Sequence, residues 1–103
     1  MIDWEKLPTA IFVTSDLMAI GAIAAFKERN IIIPQDISII GFDNIVTSAH
    51  IKPGLTTIGQ SPFNMGKAAV RSILDQIKGK NNKREVILDS EIIIRESCSF
   101  VKP

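Results

Sequence analysis

The chain has 103 residues, of which 46% are hydrophobic and 22% charged, with a formal net charge of +1. That length and composition suit one small globular domain and exclude intrinsic disorder. The near-neutral balance argues against a dedicated nucleic-acid binder; the lone cysteine, Cys98, excludes an internal disulfide and a cysteine zinc site, and the lone histidine, His50, a histidine metal cluster. No apolar run reaches the roughly 18 residues of a membrane span. Met1-Ile2-Asp3-Trp4-Glu5-Lys6 lacks the basic and apolar regions of a secretory signal. The expectation is a cytoplasmic protein with no membrane partner, metal or cofactor. Residues 1–60 carry net −2 and residues 61–103 net +3, with the basic excess densest from Lys78 to Arg84. That run reads as a solvated turn, because phosphate binding would want aromatic or helix-face support.

Ala10-Ile11-Phe12-Val13-Thr14 is a short apolar, β-branched run, which predicts a strand buried on both faces. Ser15 or Asp16 then caps a helix that runs to about Arg29, with Asn30 at a left-handed stop. The helix is apolar almost all round, so it needs cover on more than one side. Ile37–Phe42 predicts a second buried strand, ending at Asp43-Asn44. Residues 45–54 predict an irregular segment with a short helix, and Leu55–Ile58 a third strand. Ser61-Pro62 opens a second helix, with Gly66, Ala69, Val70, Ile73, Leu74 and Ile77 on one face and Gly79 at its end. Glu85–Leu88 and Glu91–Arg95 predict two more strands. The order β-α-β-β-α-β-β predicts an α/β open sheet, mostly parallel, with a right-handed first crossover.

Catalytic signatures are missing: the six glycines form no dinucleotide or phosphate loop, and there is no nucleophile elbow. The remaining signal is positional. Two strands end in small polar and acidic residues, Thr14-Ser15-Asp16 and Asp43-Asn44, and open α/β sheets bind ligands beyond the carboxyl ends of their strands. Carboxylates and amides there suit a polyhydroxylated or heterocyclic small molecule. The plainer alternative makes Asp16 a helix cap and Asp43 a turn former.

Residues 7–22 (Leu7-Pro8-Thr9-Ala10-Ile11-Phe12-Val13-Thr14-Ser15-Asp16, then Ala19-Ile20-Gly21-Ala22), with Ile33–Asn44, Leu55–Gln60 and Ile93–Cys98, resemble the C-terminal part of LacI/GalR-type transcriptional regulators. The resemblance covers nearly the whole chain in order. It implies a partial periplasmic-binding-protein-like, Rossmann-like domain in which two α/β subdomains enclose an effector. It implies effector contacts at Ser15, Asp16, Asp43 and Gln60, and a homodimer interface at Ile20, Ile23, Ala24, Lys27 and Ile51. It divides the chain into part of the C-terminal subdomain (1–60), a segment belonging to the N-terminal subdomain (61–88) and a returning strand (89–103). The family's helix-turn-helix is not among these residues, so DNA would be a partner only through a domain outside this chain. The chain is accordingly expected to be a truncated, non-enzymatic piece of a regulator that responds to a sugar-like or purine-like effector. By itself it is expected to bind effector weakly or not at all and to self-associate. A fragment of a sugar-uptake solute-binding protein is the second reading; a small enzyme using Asp16 and Asp43 is the third.

Overall fold

The computed structural model describes residues 6–80 and 85–101, so the N-terminal start and the 81–84 part of the basic run lie outside the described residues. The elements are β1 (Ala10–Phe12), α1 (Asp16–Glu28), β2 (Ser38–Phe42), a 3-10 turn (Val46–Ala49), β3 (Thr56–Gly59), α2 (Pro62–Ile77) and β4 (Glu91–Ile93). The strands form one sheet in the order β1-β2-β3-β4. β2 is parallel to both neighbours, with Ile11 opposite Ile39 and Gly41 opposite Thr57. The chain separates into two units, one of Met1–Gly59 with Ile92–Pro103 and one of Gln60–Glu91.

In the first unit, α1 begins where Ser15 Oγ accepts the Met18 N–H at 3.2 Å, satisfying one of the free donors of the first turn. It stops at Asn30, whose φ of 59° ends the helical path. Ala19, Ile23 and Phe26 point from α1 into a core shared with Ile33, Ile37, Ile39 and Leu55. Ile23 therefore belongs to the chain's own interior, not to a face open to a partner as expected. Its spacing put it beside Ile20 and Ala24, but the core stripe of α1 runs through it. The opposite side of the helix is uncovered: Leu17 is 73% and Met18 61% exposed.

The segment after β4 closes this unit. Ser97 is fully buried; its Oγ accepts the Thr56 N–H at 2.8 Å and donates to the Ile39 carbonyl at 2.5 Å. Its backbone bonds Gly54 and Ile39 as well. Next to it, Glu96 Oε1 accepts the Gly54 N–H at 2.9 Å and faces Lys52 Nζ at 3.4 Å. The backbone N–H first, and the Lys52 charge second, hold the Glu96 carboxyl below the usual glutamate range.

Two expectations are corrected. β1 is an edge strand, and Phe12 on it is 55% exposed, so it is not buried on both faces; a short apolar run reads the same at an edge as in a centre. Residues 85–88 form no strand. A strand exists only with a hydrogen-bonding neighbour, and this segment is not part of the sheet.

In the second unit, Ser61 Oγ accepts the Asn64 N–H at 3.3 Å, Pro62 takes the first helical position, and Gly79 (φ 67°) terminates the helix. The apolar face has the expected helical spacing, yet α2 has no buried residue, and Ile77 is 75% exposed. Leu88 sits beside it, its carbonyl accepting from Gln60 Nε2 at 3.4 Å.

Candidate functional site

β2 delivers the chain to Asp43 and Asn44, which have φ values of 117° and 54°. Two successive non-glycine residues at positive φ are costly, and such strain persists only where the surroundings over-determine it. Here they do. The Asp43 N–H donates to the Ile58 carbonyl at 2.7 Å. The Asn44 N–H donates to Thr57 Oγ1 at 3.3 Å, and the Ile45 N–H to Asp16 Oδ2 at 2.9 Å. Arg95 reaches across with Nη2 on Asn44 Oδ1 and Nη1 on the Leu55 carbonyl, both at 2.8 Å. Gly59 lets the turn lie flat on β3: a methyl there would stand 2.9 Å from Asn44 Cβ and 3.0 Å from the Asp43 carbonyl oxygen.

The braced turn leaves the Asp43 side chain exposed, with no hydrogen-bond partner for its carboxylate among the described residues. A carboxylate in this state can accept from hydroxyls, amines or ring N–H groups. Ser15 is half-buried, and its oxygen is engaged by the helix it caps.

Asp16 departs from expectation. Its side chain has no exposure, Oδ2 accepts from Ile45 N–H and from Ser48 Oγ (2.6 Å), and Oδ1 accepts from Thr57 Oγ1 (2.6 Å). Three donors of its own chain hold the carboxylate, and with no exposure it is closed to a ligand in this conformation. It follows a strand end, as a ligand residue would, but it is the first residue of α1 and points inward.

Gln60, in the second unit, has a buried Oε1 with no partner among the described residues. Of the expected interface residues, Ile20 and Ile51 are half-buried and Ala24 is exposed, while Lys27 is exposed and donates to the Lys52 carbonyl at 2.6 Å. His50 is exposed, and Cys98 Sγ lies 3.3 Å from the Ile39 carbonyl. Among the described residues no cluster of three metal-ligating side chains occurs, and no helix is long and apolar enough to cross a membrane. The sequence gives no individual role to Arg95, Thr57 or Ser48, and reads Gly59 with Gln60 as a hinge rather than as the seat of the turn. Their roles depend on partners far along the chain.

Comparison with known proteins follows the same lines. Residues 1–98 match the family model of the periplasmic binding protein-like domain. The chain is 42% identical, over 95% of its length, to the HTH-type transcriptional repressor PurR of Aliivibrio fischeri, and covers 29% of that protein. It is 46% identical, over 90% of its length, to PurR of Pasteurella multocida, covering 28% of it. Among solved structures, a LacI family transcriptional regulator from Enterococcus faecium with bound ribose superposes with a TM-score of 0.84 at 34% identity. That match covers 95% of this chain and 37% of the other. The lac repressor dimer bound to operator and the anti-inducer ONPF superposes with a TM-score of 0.86 at 33% identity, covering 89% of this chain and 32% of the other. The chain thus spans under a third of the length of the curated relatives it matches. These relatives are transcriptional regulators. This chain belongs to the periplasmic-binding-protein-like domain family, and its relatives there are LacI-type regulators.

Proposed function

We propose that this chain is the effector-sensing and dimer-forming portion of a LacI-type transcriptional regulator, acting in the cytoplasm and without enzymatic activity. The effector is a small polyhydroxylated or heterocyclic molecule, sugar-like or purine-like. Asp43 carries the reading: an exposed carboxylate without a partner among the described residues, on a strained turn that is braced by four hydrogen bonds. A geometry of that cost supports a binding role better than a simple chain reversal. The relative from Enterococcus faecium holds ribose, and hydroxyl groups of that kind suit a free carboxylate acceptor. Ser15, at the neighbouring strand end, is a second proposed contact from the first unit. Gln60, whose Oε1 has no partner among the described residues, is the effector contact proposed from the second unit. In the whole protein the effector favours one conformation over another and so alters affinity for DNA, which is read by a domain outside this chain.

The open side of α1, with Leu17, Met18, Ile20 and Ala24, supports a homodimer through that helix, extended by Ile51 and the exposed Val46. An apolar helix with only one side in its own core needs a second cover. Sedimentation velocity of the whole regulator reads this directly, and a monomer at tens of micromolar sinks the dimer reading.

The effector reading is tested by Asp43→Ala in the whole regulator. D-ribose and hypoxanthine serve as probes, with operator DNA bound in an anisotropy assay. One of the probes is expected to change operator affinity in the wild type. The variant should bind that probe roughly 10- to 100-fold more weakly, as expected for a lost hydrogen bond to a charged group. Its operator affinity without probe should be unchanged. A wild-type response retained in full by the variant refutes the assignment of Asp43.

A further inference from the structure

Behind the Asp43–Asn44 turn lies a chain of hydrogen bonds sealed from solvent. Asp16, Thr57 and Ser48 all have zero exposure. The single hydroxyl proton of Thr57 goes to Asp16 Oδ1 at 2.6 Å, which leaves the oxygen's lone pairs for the Asn44 N–H at 3.3 Å. The other oxygen of the same carboxylate takes the Ile45 N–H at 2.9 Å. One buried carboxylate thus fixes two consecutive amides, Ile45 directly and Asn44 through Thr57. These are the amides that follow the positive-φ residue Asp43.

We propose that Asp16 and Thr57 are positioning residues for the effector: without touching it, they hold the Asp43–Asn44 turn in its strained, ligand-presenting conformation and thereby set effector affinity. The inference rests on the reading of Asp43 as an effector contact. A turn with two left-handed non-glycine residues relaxes when its restraints are removed. A protein whose competent conformer is only partly populated binds with its intrinsic affinity reduced by that fraction. Asp16 also opens α1, so the restraint is anchored on the helix that carries the proposed dimer face.

The test uses Thr57→Val, which keeps the side chain's shape and removes the hydroxyl, and Thr57→Ser, which keeps the hydroxyl. Both are made in the whole regulator. Amide hydrogen exchange is read at Asn44 and Ile45, with Ile23 and Ile39 as core references, and D-ribose and hypoxanthine are titrated by calorimetry. Thr57→Val is expected to raise exchange at Asn44 and Ile45 about tenfold or more with the core references unchanged. It should weaken the bound probe about tenfold, and Thr57→Ser should restore both readings. Unchanged protection at Asn44 and Ile45 in Thr57→Val overturns the inference. So does a Thr57→Ser variant as impaired as Thr57→Val, because packing, not the hydroxyl, would then be responsible. Faster exchange with wild-type probe affinity overturns it too. If Thr57→Val does not fold, Asp16→Asn, of equal shape, is read in the same way. If neither probe binds the wild type, the effector reading loses its support, while the exchange data still decide whether the hydroxyl holds the turn.

Discussion

Gly41→Ala is expected to destabilise the first unit by about 3 kcal/mol or more, as severe overpacking does. Gly41 lies buried on β2, opposite Thr57 of β3. A methyl built on it collides with Asp16 Oδ1 and stands 3.0 Å from Leu55 Cδ2. Neither neighbour has room to retreat. Asp16 is held by Ile45, Ser48 and Thr57, and Leu55 is in the core with no exposure. The methyl must therefore displace the carboxylate, breaking its hydrogen bonds, or push β2 from the helix. At about 4–8 °C per kcal/mol for a domain of this size, the thermal midpoint should fall by at least roughly 12 °C. A circular-dichroism melt measures it, and a midpoint within a few degrees of wild type would show that the carboxylate has freedom its hydrogen bonds do not suggest.

Asp16→Ala should cost a comparable amount, about 3–5 kcal/mol, by the opposite route. It leaves the Ser48 and Thr57 hydroxyls without their acceptor in a place that water does not reach, and it frees the Ile45 N–H. The cavity adds to the cost. Asp16→Asn keeps the shape and one oxygen acceptor, so it should lose less than half as much. Urea denaturation of the two variants side by side separates the causes. Equal losses would locate the role of Asp16 in its charge, and a loss under about 1 kcal/mol in Asp16→Ala would remove the network as a source of stability.

How far the sequence was legible follows from the range of each interaction. Ser15, Asn30, Ser61-Pro62 and Gly79 mark helix ends because a cap acts within one turn, and the structure places the ends there within a residue or two. The strands after Pro8 and Pro34 and before Gly59 were readable for the same local reason. The setting of β1 was not, since exposure depends on which strand lies beyond it. The 85–88 strand was misread because alternation and branching specify a willingness to pair, and pairing needs a neighbour. Asp16 was the instructive residue. Its position after a strand suggested a ligand contact, but its partners Ile45, Ser48 and Thr57 lie 29, 32 and 41 positions away, where no spacing rule reaches. Asp43 and Asn44 stood out as polar residues at a strand end; their positive φ, and the arginine that clamps Asn44, became visible only in three dimensions.

The closing segment around Ser97 also bears on how the protein is made. Translation runs from the N-terminus, so Ile39 and Thr56 are synthesised well before the residue that bonds them both. Between Thr56 and Ser97 lie all the residues of the second unit. At about 5–20 residues per second, the 41-position gap holds the first unit open for roughly 2–8 s. During that time Thr56 has no Ser97 to accept its N–H, and β3 has no β4 beside it. The nascent chain thus has a defined interval of vulnerability, which closes once Ser97 has been made.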